Sequence, residues 1–182
     1  LNELGITFTT YARSIGPVEI RSFSEEEIRN NALCMPDADA AAKASAYLEQ
    51  CLNSQDSAGG VIECRIKNVP AGLGDTVFDK LDARLAGAIF SIGAVKGFEI
   101  GEGFAAAKSN GSRNNDPFVV RDGRVAKETN HAGGILGGIS DGSRIIFRAA
   151  VKPTPSISQP QHTVDIYGQE REIEIHGRHD PV

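Results

Sequence analysis

The stretch GGVIECRIKNVPAGLG, Gly59 to Gly74, alternates apolar and polar side chains: Ile62, Cys64 and Ile66 fall on one face, Glu63, Arg65 and Lys67 on the other. A period of two marks a strand with one face toward a core. Pro70 closes it, because proline has no N–H to give to a ladder. A strand with one apolar face needs neighbours beside it and cover above it, so the flanking sequence is read for both.

Downstream, DTVFDKLDARLAGAIFSIGAVKG places Phe78, Leu81, Leu85 and Ala88 or Ile89 along one stripe. That spacing predicts a helix capped at Asp75 or Thr76 and stopped near Gly93, followed by a short strand in VKGFEIGEGF. Upstream, DADAAAKASAYLEQCLN is rich in helix formers, with Ala44, Leu48 and Cys51 or Leu52 at helical spacing. Ser24, three residues before Glu27, forms a capping-box pattern for a short helix, and GITFTTYARSIG reads as a strand. Toward the end, RIIFRAAV turns Ile145, Phe147, Ala149 and Val151 to one side until Pro153 and Pro155. HTVDIYGQEREIEI then reads as a hairpin, with Val164 and Ile166 facing Ile173 and Ile175 about Gly168. Helices that do not alternate strictly with strands predict an α+β fold, a layered sandwich of helices and mainly antiparallel sheet. The length, 182 residues, suits a single domain over 1–182.

Composition excludes several classes. Hydrophobic residues are 40% and charged residues 24% of the chain, ordinary for a globular domain, and no apolar run approaches the ~20 residues of a membrane helix. A net charge of −5 argues against a nucleic-acid or anionic-lipid partner, so any anion must be caught locally. Cys34, Cys51 and Cys64 fit neither a disulfide framework nor a zinc motif, and point to a reducing, cytoplasmic setting. No metal site is expected from the four histidines, of which only His176 and His179 are three apart. The first residue is leucine and no signal peptide precedes it, which reads as an internal piece of a longer chain.

Two regions invite chemistry. NHAGGILGGISDGSRI, Asn130 to Ile145, spends five of sixteen residues on glycine, so either the chain turns there or something approaches its backbone. It lacks the lysine of a phosphate-binding loop. EIGEGFAAA matches a loose dinucleotide fingerprint, but SNGSRNNDP cannot continue the helix that motif requires. KPTPS, Lys152 to Ser156, joins a lysine to two hydroxyls on a stiff backbone, a cradle for phosphate or an electron-rich ring as much as a rigid strand exit. Between them, Lys108, Arg113, Arg121, Arg124 and Lys127 alternate with acids along a polar run of about thirty residues, read as a solvated loop.

SAGGVIECRIKNVPAGLGDTVFDKLDARLAGAIFSIGAVKGFEIGEGF, SRNNDPF, TNHAGGILGGISDGSRI, AAVKPTPSI and GRHDP, in that order, closely resemble chorismate synthase, densely from Gly59 to Val182 and more loosely before. The resemblance implies a lyase that forms chorismate from 5-enolpyruvylshikimate 3-phosphate by anti elimination of phosphate, the last common step of aromatic amino acid biosynthesis. It implies reduced FMN as cofactor, a phosphorylated small-molecule substrate and a homotetramer, and leaves open whether NADP-linked flavin reduction belongs to the same protein. Carried over by motif, the flavin contacts fall on Gly93, Ala94, Gly137, Lys152, Pro153, Thr154, Pro155, Ser156 and Arg178. Position 93 is asparagine in many relatives, so only a backbone contact survives there. The family's Ser-His-Gly, Arg-Pro-histidine and Ser-Ala-Arg-Glu motifs, and whatever follows Arg-His-Asp-Pro, are absent. The catalytic histidines and aspartate therefore lie outside this chain, which is expected to be inactive alone. The alternative is an inactive core serving as a flavin-binding or structural scaffold. The resemblance also makes Lys108 to Thr129 a candidate lid.

Overall fold

The computed structural model describes residues 1–177. In chain order the elements are β1 (Thr7–Ile15), β2 (Val18–Glu19), α1 (Glu27–Asn30), α2 (Ala38–Asn53), β3 (Gly60–Lys67), α3 (Leu81–Phe90), β4 (Val95–Ile100), α4 (Gly111–Asn114), β5 (Phe118–Arg121), β6 (Arg124–Lys127), β7 (Ile135–Leu136), β8 (Ile139–Ser140), β9 (Ile145–Val151), β10 (Gln161–Val164) and β11 (Glu170–Ile173). Helices and antiparallel hairpins are mixed without βαβ alternation, so the fold is α+β. None of the described helices is long and apolar enough to cross a membrane. The chain forms two compact units, Leu1–Tyr11 with Ile62–Ala150, and Ala12–Val61 with Val151–Val182.

In the first unit the strands lie in the order β1, β3, β9, β4. The alternation of β3 and β9 does what the sequence requires: Cys64 and Ile66 join Ile145 and Phe147 in one buried cluster with Ile6, Val69 and Ile135. Helix α3 covers that cluster through Leu81, Leu85 and Ile89, while Phe98 of β4 stacks obliquely on Phe147 at 5.4 Å between ring centres. The helix starts later than its stripe suggests. Residues 75–80 are a turn in which the Asp75 carboxylate accepts from the N–H of Thr76 and Val77, and Phe78 stands 91% exposed. The helix begins at Leu81, whose N–H donates to the Gly138 carbonyl at 2.8 Å.

The other face of β3 differs more sharply from the alternating pattern. Glu63, assigned to the polar face, is only 1% exposed. Its carboxylate accepts from the Tyr11 hydroxyl of β1, from Arg65 Nε at 2.9 Å and from Arg148 Nε of β9 at 2.9 Å. Arg148 also donates to Glu99 of β4 at 2.7 Å, and the Arg65 guanidinium lies 5.3 Å from the centre of the Tyr11 ring. One polar row thus crosses all four strands. Burial alone would raise the Glu63 pKa, but donation from Tyr11, Arg148 and Arg65 outweighs it and lowers it to about 2.

In the second unit, α2 packs on the distal part of β1 and on β2. Ala40, Ala41 and Ala44 leave room for Ile15 and a wholly buried Met35, with Cys51 and Ala58 completing the cluster. Asp37 caps α2, accepting from the N–H of Ala40 at 3.1 Å and of Arg21 and Ser22 at 2.8 and 2.9 Å, which holds its carboxyl well below the usual range. The capping box expected at Ser24 does not form: α1 begins after Glu26, and the Ser24 N–H goes to the Pro36 carbonyl instead. The C-terminal hairpin is present, but Val164 sits opposite Glu170 and Ile173 opposite Gln161, so the apolar residues do not face one another.

Glu63→Gln keeps the shape of the side chain and removes the charge that two guanidiniums share. It is expected to lower the unfolding free energy by about 3 kcal/mol, the low end for breaking a buried pair because both arginines keep an edge in water. Because the folded Glu63 pKa lies below its ordinary 4.5, the contribution is whole above that value and lost as pH falls through about 2. Urea unfolding of both forms between pH 7 and 2 measures this; a wild-type curve parallel to that of the variant across the acid range would refute it.

Candidate functional site

The glycine-rich stretch lies in the first unit and is built around one short hairpin. β7 and β8 pair Ile135 with Ser140 and Leu136 with Ile139, joined by Gly137 and Gly138. Both joining residues have positive φ, +60° and +91°, the combination a two-residue type I′ turn demands. At the hairpin's feet, Asp141 N–H donates to the Gly134 carbonyl at 3.0 Å, and Gly134 N–H donates to Asn130 Oδ1 at 2.9 Å. Buried Ser140 fastens it to the segment after β3, taking the Leu73 N–H at 2.9 Å and giving its hydroxyl proton to the Pro70 carbonyl at 2.6 Å.

The glycines are not equivalent. A Cβ on Gly134, where φ is +84°, would meet the Arg144 carbonyl at 2.6 Å, and one on Gly138 would meet the Asp75 carbonyl at 2.3 Å. Those two are small because the chain packs on itself. Gly137 has open space where a Cβ would stand. The turn's positive φ favours glycine there, and the open space beside it leaves its backbone bare toward the outside, which a ligand can use.

Gly93 and Ala94 form the turn between α3 and β4, also in the first unit. Gly93 likewise faces open space, and Ala94 holds φ +69°, a left-handed conformation that costs an alanine about 1–2 kcal/mol. Strain of this kind persists where surrounding structure imposes it, and it gathers at functional sites.

Lys152, Pro153, Thr154, Pro155 and Ser156 belong to the second unit, following β9. Lys152 is exposed, and the segment behind it is anchored: Ser57 Oγ donates to the Thr154 carbonyl at 2.7 Å and Gln161 Nε2 to the Pro155 carbonyl at 3.3 Å. Close approach of Gly59 to the Val151 carbonyl, 2.6 Å from where its Cβ would be, holds the start of the segment. The structure therefore offers an anchored backbone with an exposed ammonium at its entrance. Arg178 lies outside the described residues.

The polar run between Lys108 and Thr129 is not a uniform solvated loop. A 3-10 turn (Gly103–Lys108), α4 and the β5–β6 hairpin occupy it, the hairpin turning at Asp122 and Gly123 with φ of +51° and +72°. The Asp-Gly dipeptide between FVVR and RVAK carried that signal. Lys127, grouped by sequence with solvated cations, has a side chain only 3% exposed. Its ammonium donates to Asp141 at 2.6 Å, Asn130 at 3.2 Å and Asp116 at 3.3 Å. Asp116 accepts besides from the Thr129 hydroxyl and from the N–H of His131 and Ala132, at 2.7, 2.7 and 2.9 Å. Burial raises the Asp116 pKa, but these donors and the Lys127 charge win, holding the carboxyl well below the usual range.

The family model described as chorismate synthase matches residues 1–182. Over its whole length the chain is 63% identical to the chorismate synthase of Agathobacter rectalis and 60% identical to that of Lachnoclostridium phytofermentans, each along 50% of the relative. The archaeal chorismate synthase of Methanosarcina mazei is 50% identical along 51% of its length. A crystal structure of chorismate synthase matches with a TM-score of 0.79 at 32% identity, covering 85% of this chain and 51% of that one. The chain spans about half the length of the curated relatives it matches.

Steric geometry separates the structural glycines from the open one by stability alone. Gly134→Ala is expected to cost roughly 3 kcal/mol, a left-handed alanine plus a backbone clash, whereas Gly137→Ala should cost only about 1 kcal/mol. Thermal unfolding of the two variants decides it, and equal losses would show that Gly137 too is held by packing.

Proposed function

The chain belongs to the chorismate synthase family, and on that premise we propose that it carries flavin-contacting surface of an enzyme that eliminates phosphate from 5-enolpyruvylshikimate 3-phosphate to form chorismate. The observation that carries this reading is Gly137, which the turn's positive φ favours as glycine and which leaves bare backbone and open space at the hairpin tip. A planar ring can approach such a place closely, because no Cβ stands between it and the backbone.

Residues proposed to contact reduced FMN occur in each unit taken by itself. In the first, Gly93, Ala94 and Gly137 offer main chain without side-chain bulk. In the second, Lys152 supplies a positive charge on a stiff support, and Thr154 and Ser156 supply hydroxyls to donate to phosphate or ring oxygens. Arg178 is proposed as a further phosphate contact. Held by these residues, a reduced flavin would supply electron density for cleavage of the carbon–oxygen bond. These residues bind and orient, and the groups that move protons are assigned to parts of the family's sequence not represented here. A homotetramer, a cytoplasmic setting and supply of reduced flavin complete the proposal.

Titration of FMN, oxidised and then dithionite-reduced, into the full-length protein under argon tests it by flavin absorbance and fluorescence. Lys152→Met is expected to weaken reduced FMN at least tenfold without moving the melting temperature, because the side chain is exposed. Gly137→Ala should weaken both forms. Wild-type affinity in both variants would sink the reading.

A further inference from the structure

An ammonium group has three N–H donors, and Lys127 spends all three on side chains fixed at different points of the chain. One goes to Asp116, which precedes the β5–β6 hairpin, and the others go to Asn130 and Asp141, the two feet of the hairpin that carries Gly137. Asn130 passes the constraint on, donating from Nδ2 to the Arg144 carbonyl at 2.8 Å while its Oδ1 takes the Gly134 N–H at 2.9 Å. The β7–β8 hairpin has only two residue pairs, too few to hold its own tip. It needs an outside brace.

We infer that Lys127 is a positioning residue for the flavin-facing glycine turn, clamping the β7–β8 hairpin at its base through Asp141 and Asn130 and tying it to the β5–β6 hairpin through Asp116. The inference rests on the proposed flavin contact at Gly137. The clamp itself is a statement about backbone order that stands apart from any ligand. Lys127 reaches no reacting group, so its effect passes through the placement of Gly137. The face of β5 and β6 beside it is open, with Phe118, Val120 and Val125 exposed, so the brace does not come from apolar burial of that hairpin.

The test uses the full-length protein with three substitutions. Lys127→Met removes the brace but strands two buried carboxylates and is expected to lower the melting temperature. Lys127→Met with Asp141→Asn removes one of those carboxylates, and Asp116 keeps its donors from Thr129, His131 and Ala132, so this double variant should recover most of the stability. It should still show amide hydrogen exchange in 134–141 faster by tenfold or more, with reduced-FMN affinity weakened about tenfold and the bound-flavin spectrum shifted toward that of free flavin. Lys127→Arg should restore most of the affinity and protection. A stable double variant with wild-type exchange at 134–141 overturns the clamp. Faster exchange with unchanged flavin affinity overturns the link to Gly137, and failure of the wild-type protein to bind flavin at all overturns the flavin reading while leaving the exchange result to judge the clamp.

Discussion

One buried carboxylate organises the central sheet of the first unit. Glu63 gathers a hydroxyl from β1, a guanidinium from its own strand and another from β9, and Arg148 carries the charge on to Glu99 of β4. On the face toward α3 the strands could slip by two residues and still present aliphatic side chains to one another. On the opposite face they cannot, because a two-residue slip would leave a buried charge without its partners, and low-dielectric surroundings make that expensive. The apolar cluster supplies cohesion and the polar row supplies register.

The same device recurs on a smaller scale where there is too little regular structure to bury much surface. Between β4 and β9 the chain makes short hairpins and single turns, which close few backbone ladders and cover little apolar area. There the fixed points are polar: Ser140 against Pro70 and Leu73, Asp116 against a run of amides, Lys127 among three acceptors. Polar contacts specify position more sharply than apolar ones because their geometry is directional. A segment that has to present bare glycine backbone gains from being held this way.

The regular elements were legible in the sequence where periodicity and neighbours agreed. α2 follows from its helix formers and the spacing of Ala44, Leu48 and Cys51, and β3 and β9 follow from alternation. What escaped was decided by distant partners. Glu63 reads as a surface residue until Tyr11 and Arg148 are brought to it, and Lys127 reads as one of five solvated cations until Asp116 and Asp141 close over it. α3 starts at Leu81, several residues after the Asp75 or Thr76 cap that the pattern suggests, and the β5–β6 turn falls on the Asp122–Gly123 dipeptide. In the candidate site, composition offers five similar glycines between Asn130 and Ile145; the family resemblance singles out Gly137, and the fold supplies the physical difference, since Gly134 is walled in by Arg144 and Gly137 faces open space.

The three cysteines have a practical corollary. Cys34 is exposed, while Cys64 is buried in the first unit's core and Cys51 in the second's. Burial also pushes the Cys64 thiol away from its reactive anion. Alkylation therefore begins at Cys34, and each remaining thiol becomes reactive only when its own unit opens. The two slow rates report on the two cores and are readable in one alkylation time course resolved by peptide mass mapping.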